Sequence, residues 1–475
     1  MRTTNLCYNS LTMPARFLRT ALLIFCAAIP AATLVQASLF AQSAPAPGAA
    51  AGASNPGTLL VFPFENDSRV ASLDWLGEGI AELTAERLQD RGMSLLSRQD
   101  RLAALEKIGL PDSARFSHAT IVKIATEADA DGVVFGRFIY DGKTLTLEAR
   151  VLRLSPPWLS PPYTQSGTQE NLFRLHARLT WQILCALSQK NCPQTGADTD
   201  ETSFAAPPLS LRADVLQNFV RGVIALDDES RLRALREAAR LEPTWDRPAF
   251  ELGQLYFMRH DCDAALPWYS HVPPGRADGP EAAFNTGICH ILRNDAARAE
   301  GAFAGLLERS RSADPRIHLP EMPEVRNNLG VAHLRAGKVA EAAAEFEWAA
   351  ALDEEEPDYW VNIGIAKLAA KQPAAAVTPL ERAVKIDPKD KDARALLIST
   401  LESVGRSADA AAVLSESSAQ MSAGATQPAP RDPVAQVRIS MKFDRTLLRP
   451  GNNAPAGQHS PGTNSQKAQS DTGSK

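Results

Sequence analysis

The stretch NNLGVAHLRAGKVAEAAAEFEWAAALD, residues 327–353, decides the fold of this chain, because its pattern returns at regular distances. Shifted by 34 residues, it aligns with VNIGIAKLAAKQPAAAVTPLERAVKID, residues 361–387. The shared skeleton has a glycine, an alanine 12 positions later and a bulky residue 16 positions after the glycine. The glycines are Gly253, Gly287, Gly330 and Gly364, the alanines Ala265, Ala299, Ala342 and Ala376, and the bulky residues Tyr269, Phe303, Phe346 and Leu380. Small residues at fixed positions predict two helices that approach closely within one unit.

A helix pair of this length cannot bury its apolar face alone, so such units stack. We predict six units over residues 212–422, with an insertion of about nine residues around 310–320, where the step between glycines grows from 34 to 43. Their bounds are 212–245, 246–279, 280–322, 323–356, 357–390 and 391–422. The pattern resembles the tetratricopeptide repeat in signature and period. That resemblance implies an all-α superhelical solenoid in which the first helix of each unit lines a concave surface.

A different domain is predicted ahead of the repeats, over residues 58–190. It begins with TLLVFPF, an apolar run of strand length, and Asp141-Gly142 is a strong hairpin turn signal. The expected class is α+β, a mixed sheet with flanking helices. Residues 59–66, 75–80 and 130–136 (LLVFPFEN, WLGEGI and ADGVVFG) resemble the TolB amino-terminal-like domains that precede tetratricopeptide repeats in bacterial proteins. The resemblance implies an envelope role and supplies no catalytic residue.

Residues 1–43 have the pattern of a secretory signal peptide, with Arg16 and Arg19 ahead of an apolar run and no acidic residue. Cleavage after Ala37 or after Ser43 fits the sequence, and translation starts at Met1 or at Met13. The leader predicts a periplasmic or secreted protein. The alternative is an uncleaved N-terminal helix that anchors the chain, and only then is membrane contact expected.

The remaining segments are predicted as connections. Residues 44–57 form an Ala/Pro/Gly linker, residues 191–211 form a polar linker between the domains, and residues 423–475 form a mostly disordered tail. Within that tail, Val437–Phe443 alternates apolar and polar residues. This pattern allows either an edge strand or a small helix that docks on the rest of the chain.

Charge and composition exclude some partners. The 475 residues carry a formal net charge of −5, or about −8 without the three arginines of the leader. A mildly acidic chain without a basic stripe is a poor nucleic-acid binder. No signature of a metal, nucleotide or nucleophile site withstands comparison with its spacing rule, so we expect no metal, no cofactor and no catalytic residue.

Four cysteines remain after the leader: Cys185, Cys192, Cys262 and Cys289. Export to an oxidising compartment makes disulfides possible. Cys185 and Cys192 are close enough in sequence to bridge a helix end to the next turn, and Cys262 can reach Cys289 in the next repeat. Four cysteines allow three pairings, and small buried thiols are the alternative for the second pair.

The repeat face carries the candidate binding residues. An asparagine stands two positions before three of the glycines, as Asn285, Asn328 and Asn362, with Asn327 beside one of them. Side-chain amides one repeat apart can donate to and accept from an extended peptide backbone without demanding its sequence. Similar asparagines bind peptide in tetratricopeptide domains, although the lysine pair of the carboxylate-clamp subgroup has no clear equivalent here. The alternative is that these asparagines support the repeat fold itself.

The predicted function is therefore a non-catalytic scaffold of the periplasm or envelope that binds a protein or peptide partner on its concave face. A first alternative is an assembly or sensor module that acts through the α/β domain, with the repeats as spacer. A second is a hydrolase whose site has no recognisable motif, which nothing in the sequence favours.

Overall fold

The computed structural model describes residues 57–68, 70–112, 115–188, 211–312, 319–420 and 432–448. An α/β domain comes first and a run of antiparallel helix pairs follows, which confirms the predicted fold class. The predicted signal peptide and the two predicted linkers lie almost wholly outside the described residues, as does Cys192. In the part of the chain described here, no helix is both long and apolar enough to cross a membrane.

The α/β domain is built on a mixed seven-stranded sheet with four α-helices in its described residues. The strands are β1 (Thr58–Val61), β2 (Glu65–Asn66), β3 (Ser94–Leu95), β4 (Gly132–Tyr140), β5 (Thr144–Arg153), β6 (Trp158–Leu159) and β7 (Tyr163–Thr168), and the helices α1 (Trp75–Gln89), α2 (Arg98–Lys107), α3 (His118–Glu127) and α4 (Leu172–Leu187). The order is β3-β1-β4-β5-β6, with β2 also on β4 and β7 also on β5. Strands β3, β1 and β4 are parallel, whereas β4 and β5 form the antiparallel hairpin predicted around Asp141-Gly142.

Apolar periodicity explains why these strands lie where they do. All four residues of β1 are buried, as expected for a central parallel strand covered on both faces. In β5, alternate residues from Leu145 to Val151 are buried while the residues between them are only partly covered. The Pro-rich segment 155–162 contains β6, and the strand β7 that follows it is polar and has no apolar run that would have predicted it.

In the described residues of the second domain, twelve helices form six consecutive pairs. They are α5 (Ala213–Ile224), α6 (Asp228–Leu241), α7 (Asp246–Met258), α8 (Cys262–Tyr269), α9 (Gly279–Leu292), α10 (Ala296–Ser310), α11 (Pro323–Arg335), α12 (Val339–Leu352), α13 (Pro357–Ala369), α14 (Pro373–Ile386), α15 (Lys391–Ser403) and α16 (Ser407–Gln420). Each helix packs on the next, and one continuous apolar cluster runs from Phe284 to Ala410. Stacking therefore buries the face that one pair alone would expose.

The spacing of glycine and bulky residue that recurs from unit to unit has a direct physical basis. A Cβ atom on Gly330 would lie 2.6 Å from the ring of Phe346, and one on Gly364 would lie 2.6 Å from the side chain of Leu380. Each glycine thus accepts the bulky residue 16 positions later, on the second helix of the same pair. This close approach sets the rotation of the first helix and so the direction in which its other side chains point.

The two domains share a packed boundary. Leu83 of α1 belongs to the same apolar cluster as Val215 and Phe219 of α5. Beside this contact, Arg247 donates to the Glu82 carboxylate at 2.5 Å. Burial raises the pKa of Glu82, against the opposing effect of the Arg247 charge. The α/β domain therefore lies firmly against the start of the solenoid.

Residues 432–448 return from the far end of the solenoid and dock on its concave face. Pro433–Gln436 forms a short 3-10 turn, and the chain then continues without regular secondary structure as far as a second turn at Arg445–Leu448. Val437 and Phe443 are buried in the repeat cluster. This part of the tail is ordered, unlike the mostly disordered tail that was expected, because its apolar residues are buried against the repeats. It also adopts neither of the two forms considered for Val437–Phe443, since it pairs with helix side chains instead of a strand.

Candidate functional site

The concave surface presents equivalent asparagines from successive first helices. Asn285 lies on α9, Asn328 on α11 and Asn362 on α13, each two residues before its glycine, while Asn327 adjoins the second. All four side chains are buried, with exposed fractions of 3% or less. A buried amide that lacked partners would cost free energy, so the partners of these groups define what the surface does.

Asn328 and Asn362 each form a two-way hydrogen bond with the main chain of the docked segment. Asn362 Oδ1 accepts from the Arg438 N–H and Asn362 Nδ2 donates to the Arg438 carbonyl, both at 2.8 Å. Asn328 repeats the arrangement with Ser440, again with both distances at 2.8 Å. Residues 438 and 440 are neighbours on one edge of an extended chain, whose backbone advances about 7 Å over two residues. Two successive repeats thus each hydrogen-bond the backbone of one residue of the segment, and the two bonded residues are two positions apart.

Asn327 connects these two pairs of hydrogen bonds to each other. Its Oδ1 accepts from Asn362 Nδ2 at 2.7 Å, and its Nδ2 donates to the Arg438 carbonyl at 3.1 Å and to Ser440 Oγ at 3.0 Å. Three amides from two helices therefore form one connected network around a short stretch of extended backbone. Such a network holds its members in fixed orientations.

Asn285 has a different role from the other three. Its Nδ2 donates to Gln254 Oε1 at 2.9 Å and to the Tyr269 hydroxyl at 3.1 Å. These partners belong to the preceding repeat, and among the described residues Asn285 makes no hydrogen bond to the docked segment. This asparagine supports the packing of neighbouring repeats, which is the alternative considered from the sequence.

An acidic seat holds the first arginine of the segment. The Arg438 guanidinium lies 2.5 Å from Asp358 and 2.5 Å from Asp390. Burial alone would raise the pKa of Asp390, but hydrogen bonds from Arg438 and from the backbone N–H of Ala393 outweigh it, and the pKa is lowered. The two carboxylates also raise the pKa of Arg438, against its desolvation. This pair of aspartates, the Arg438 seat, is only partly exposed, so it favours a cation strongly.

An aromatic contact and a backbone contact follow farther along the segment. The ring of Phe443 is 7% exposed, and its centroid lies 5.4 Å from that of Phe284. The next N–H, that of Asp444, donates to Glu324 Oε1 at 2.9 Å. Burial raises the pKa of Glu324, and the hydrogen bond from Asp444 opposes this rise.

A second acidic seat holds Arg445. Its guanidinium is bonded to Glu281 and lies 3.2 Å from Asp278, and it stacks 5.5 Å from the centroid of the Phe250 ring. The carboxylates raise the pKa of Arg445, although burial acts in the opposite direction. The docked segment is thus held at two points, Arg438 and Arg445, where an arginine lies between acidic side chains.

Sequence reasoning located the asparagines but missed these carboxylates. Asp278, Asp358 and Asp390 all stand at or next to the start of a first helix, where acidic residues are common for local reasons. A usable signal existed in the tail, where two arginines seven positions apart flank an alternating apolar pattern. The match between the two could be recognised only after the helices were placed side by side.

The remaining space near the site is modest. A cavity of about 550 Å³ adjoins residues 441–445 and is also lined by residues of α1, α2, α7 and α9. In the described part of the chain, no group of three or more His, Cys, Asp and Glu side chains could hold a metal ion.

A buried disulfide joins two neighbouring helix pairs. Cys262 at the start of α8 is bonded to Cys289 on α9, with their Cα atoms 5.2 Å apart. It joins two consecutive repeats on the helix that also carries Asn285. Of the other predicted pair, Cys185 lies in the last turn of α4, whereas Cys192 falls in the part of the chain that the structure does not describe.

A second cavity, of about 1330 Å³, lies beside the carboxyl end of β1 and is lined by the α/β domain and by residues 223–226 of the first helix pair. Arg101 donates two hydrogen bonds, of 2.6 and 2.8 Å, to the buried carboxylate of Glu78 at its wall. Leu226, just after α5, is fully exposed at its rim. The carboxyl ends of parallel strands are a common place for ligands, so this cavity is the second candidate site.

Known proteins are similar to the repeat part of the chain. Residues 293–358 and 327–391 match the tetratricopeptide repeat family. No curated protein matches the sequence. Among solved structures, MamA residues 41 to the end from Desulfovibrio magneticus is 16% identical, with a TM-score of 0.32, over 42% of this chain and 100% of that one. YrrB, described as a TPR protein with an unusual peptide-binding site, is 16% identical with a TM-score of 0.32, over 39% of this chain and 91% of that one. PilF of Pseudomonas aeruginosa is 18% identical with a TM-score of 0.32, over 40% of this chain and 82% of that one. The resemblance of the first domain to TolB amino-terminal domains stays a prediction.

Proposed function

We propose that the protein is a non-catalytic scaffold whose concave repeat surface binds an extended segment of a protein partner. The observation that carries this proposal is the pair of two-way hydrogen bonds from Asn328 and Asn362 to the backbone of residues 438 and 440. These bonds use only groups that every non-proline residue has. A surface that binds the chain's own extended segment in this way has the chemistry to bind another.

The flanking side-chain contacts add sequence selectivity to the hydrogen bonds that hold the backbone. Main-chain hydrogen bonds give affinity without sequence preference, and pockets for individual side chains give specificity. The acidic seats of Arg438 and Arg445 and the ring of Phe284 provide such pockets. A partner segment therefore benefits from basic and aromatic residues at matching positions.

We place this activity in the periplasm or envelope as part of the same proposal. The apolar leader over residues 1–43 supports export, and the disulfide between Cys262 and Cys289 is compatible with an oxidising compartment. N-terminal sequencing of the protein recovered from cell fractions tests both points. A full-length chain found only in the cytoplasm would contradict this placement.

A second candidate function acts through the α/β domain. The cavity beside β1 and the exposed Leu226 at its rim favour an assembly or sensor role for that domain. The two candidates differ in which surface the partner needs. A Leu226→Asp substitution should abolish partner capture if the surface around this cavity is used, and should leave capture unchanged if the concave groove is used.

The decisive experiment compares three baits made from the full chain. The wild type, the double variant Asn328→Ala with Asn362→Ala, and the control Asn285→Ala are each used to capture proteins from envelope extract. The control removes the same side chain from the same repeat position outside the network. We expect a specific partner to be lost with the double variant and retained with the control. Equal recovery by all three, or recovery by none, would contradict the proposal.

A further inference from the structure

We propose that residues 432–448 are a resident competitor in the groove, and that the displacing partner segment carries the same recognition pattern. That pattern is an extended strand with a basic residue in the Arg438 seat and an aromatic residue five positions later against Phe284. This inference rests on the proposed function, because it identifies the chemical class of the same site's ligand.

The docked segment behaves as a ligand in its geometry. It follows the last helix pair, yet it runs back across the solenoid, from Asp390 at the end of the fifth unit to Asp278 in the second. Its direction is therefore opposite to the order of the repeats. The solenoid residues that bond it stand between 48 positions (Arg438 to Asp390) and 167 positions (Arg445 to Asp278) away in sequence, so no local preference of the tail determines this path.

The charge balance shows what any replacement must supply. Asp358 and Asp390 both bond Arg438, and Asp278 and Glu281 both bond Arg445. When the segment leaves, two pairs of carboxylates remain in a partly enclosed groove, where like charges repel. A partner with cationic side chains at both places restores the balance, whereas an acidic or neutral segment does not. The expected ligand is thus a basic extended peptide.

The covalent connection makes the segment an effective competitor. The residues between Gln420 and Asp432 number 11, numbers 421–431. A short linker of this kind keeps a tethered ligand at an effective concentration on the order of millimolar. A free peptide of equal intrinsic affinity consequently binds the intact chain far more weakly than a chain in which this connection is cut.

The test uses the full chain with a protease site inserted after Thr426. The folded protein is compared before and after cleavage, and the probe is a fluorescent synthetic peptide of residues 432–448, followed by anisotropy. We expect saturable binding to the cleaved protein, and binding at least about tenfold weaker to the uncleaved protein because of the tether. Equal affinity for both forms, or no binding to the cleaved form, would overturn the competitor model.

Variant peptides test the recognition pattern itself. Peptides with Arg438→Glu or Phe443→Ala should bind the cleaved protein at least about tenfold more weakly, because each removes a side chain that fills a seat. A peptide with Lys442→Glu is the matched control, since Lys442 is exposed. If the Arg438→Glu peptide binds as well as the wild type, the basic pattern is wrong.

Two further measurements keep the outcomes separate. If circular dichroism shows that cleavage disturbs folding, the uncleaved double variant Arg438→Glu with Arg445→Glu replaces the cleaved protein as the open form, and we expect it to bind the peptide in the same way.

Light scattering of the uncleaved protein should give a monomer at all concentrations. A concentration-dependent dimer that exchanges the segment would show docking on a second copy and overturn the intramolecular arrangement. Peptide binding that depends on Asn362 but does not improve on cleavage would defeat this inference and leave the proposed function standing.

Discussion

Asn362 and Arg438 exchange two hydrogen bonds of 2.8 Å, in which the side-chain amide of one residue pairs with both main-chain polar groups of the other. An amide that pairs in this way imitates the edge of a neighbouring strand. Asn328 does the same for Ser440, one repeat earlier and two residues later. The superhelix therefore offers an extended chain the pairing that a sheet edge would offer, but on side chains borne by helices.

Loss of one such pair should loosen the segment measurably. In Asn362→Ala, the two hydrogen bonds to Arg438 are removed, at about 1 kcal/mol each. We expect hydrogen exchange at the amides of residues 437–441 to accelerate about 10- to 30-fold. Asn285→Ala is the control, since its hydrogen bonds go to Gln254 and Tyr269. Equal acceleration in both variants would mean that general destabilisation, not the local pair, controls docking.

Charge reversal at Arg438 should release the segment. Glutamate at this position would face Asp358 and Asp390, which now each lie 2.5 Å from the guanidinium. We expect Arg438→Glu to increase proteolytic cleavage between residues 432 and 448 by about tenfold or more, because attraction becomes repulsion between partly buried charges. Lys442→Glu makes the same change at an exposed side chain and should have little effect. Equal protection of wild type and Arg438→Glu would show that the ion pairs do not hold the tail.

A single methyl group at Gly330 should destabilise the solenoid. A Cβ atom there would lie 2.6 Å from the ring of Phe346, closer than packed carbon atoms allow. We expect Gly330→Ala to lower the free energy of unfolding by about 1–3 kcal/mol in urea titration. Gly301→Ala, within α10, is the control because nothing lies within 4 Å of its added Cβ, and there we expect a gain of up to about 1 kcal/mol. If Gly330→Ala left the free energy of unfolding unchanged, the close approach of the two helices would be contradicted.

The α/β domain should lose stability on acidification because of one buried histidine. His176 is fully buried, and its Nε2 lies 2.9 Å from Thr84 Oγ1 and 3.2 Å from Thr180 Oγ1. Burial, and then the nearby charge of Arg87, lower the pKa of His176 to about 3. An unfolded histidine titrates near 6.5. Between these values the unfolded chain binds a proton that the folded chain does not, so the free energy of unfolding falls as pH decreases from about 6.5 towards 3.

The measurement is urea unfolding of the full chain at pH 7, 6 and 5. The contribution of His176 is at most about 1.4 kcal/mol per pH unit below 6.5. We expect His176→Gln to remove this slope, whereas His118→Gln, at an exposed position, should keep it. An unchanged slope in His176→Gln would assign the acid sensitivity to other groups.

The helix pairs were predictable because their determinants are local. Gly330 and Phe346 are 16 positions apart, and the same spacing recurs in four units, so the register is visible in one sequence. The hairpin of β4 and β5 was predictable for a similar reason, from its turn at Asp141-Gly142. By contrast, Tyr163–Thr168 has no apolar run, and it becomes a strand only because β5 presents a free edge to it.

The candidate site was predictable in part. Repetition pointed to Asn328 and Asn362, but it gave the same weight to Asn285, which has neighbours of a different kind. The reason is that a side chain's position on a helix follows from local spacing, whereas its partners depend on what approaches from elsewhere. No spacing rule connects Asp278 with Arg445.

By itself, the sequence determined a repeating helix pair and a strand-rich domain before it, because both follow from the periodic placement of small and apolar residues. Only the tertiary structure decided that residues 432–448 would fill the concave groove. Stacking brings Asp390, Asn362, Asn328 and Asp278 into one line, although they are spread over more than a hundred positions of the chain. Hydrogen bonds and ion pairs depend on distance in space, and that distance exists only once the repeats have stacked.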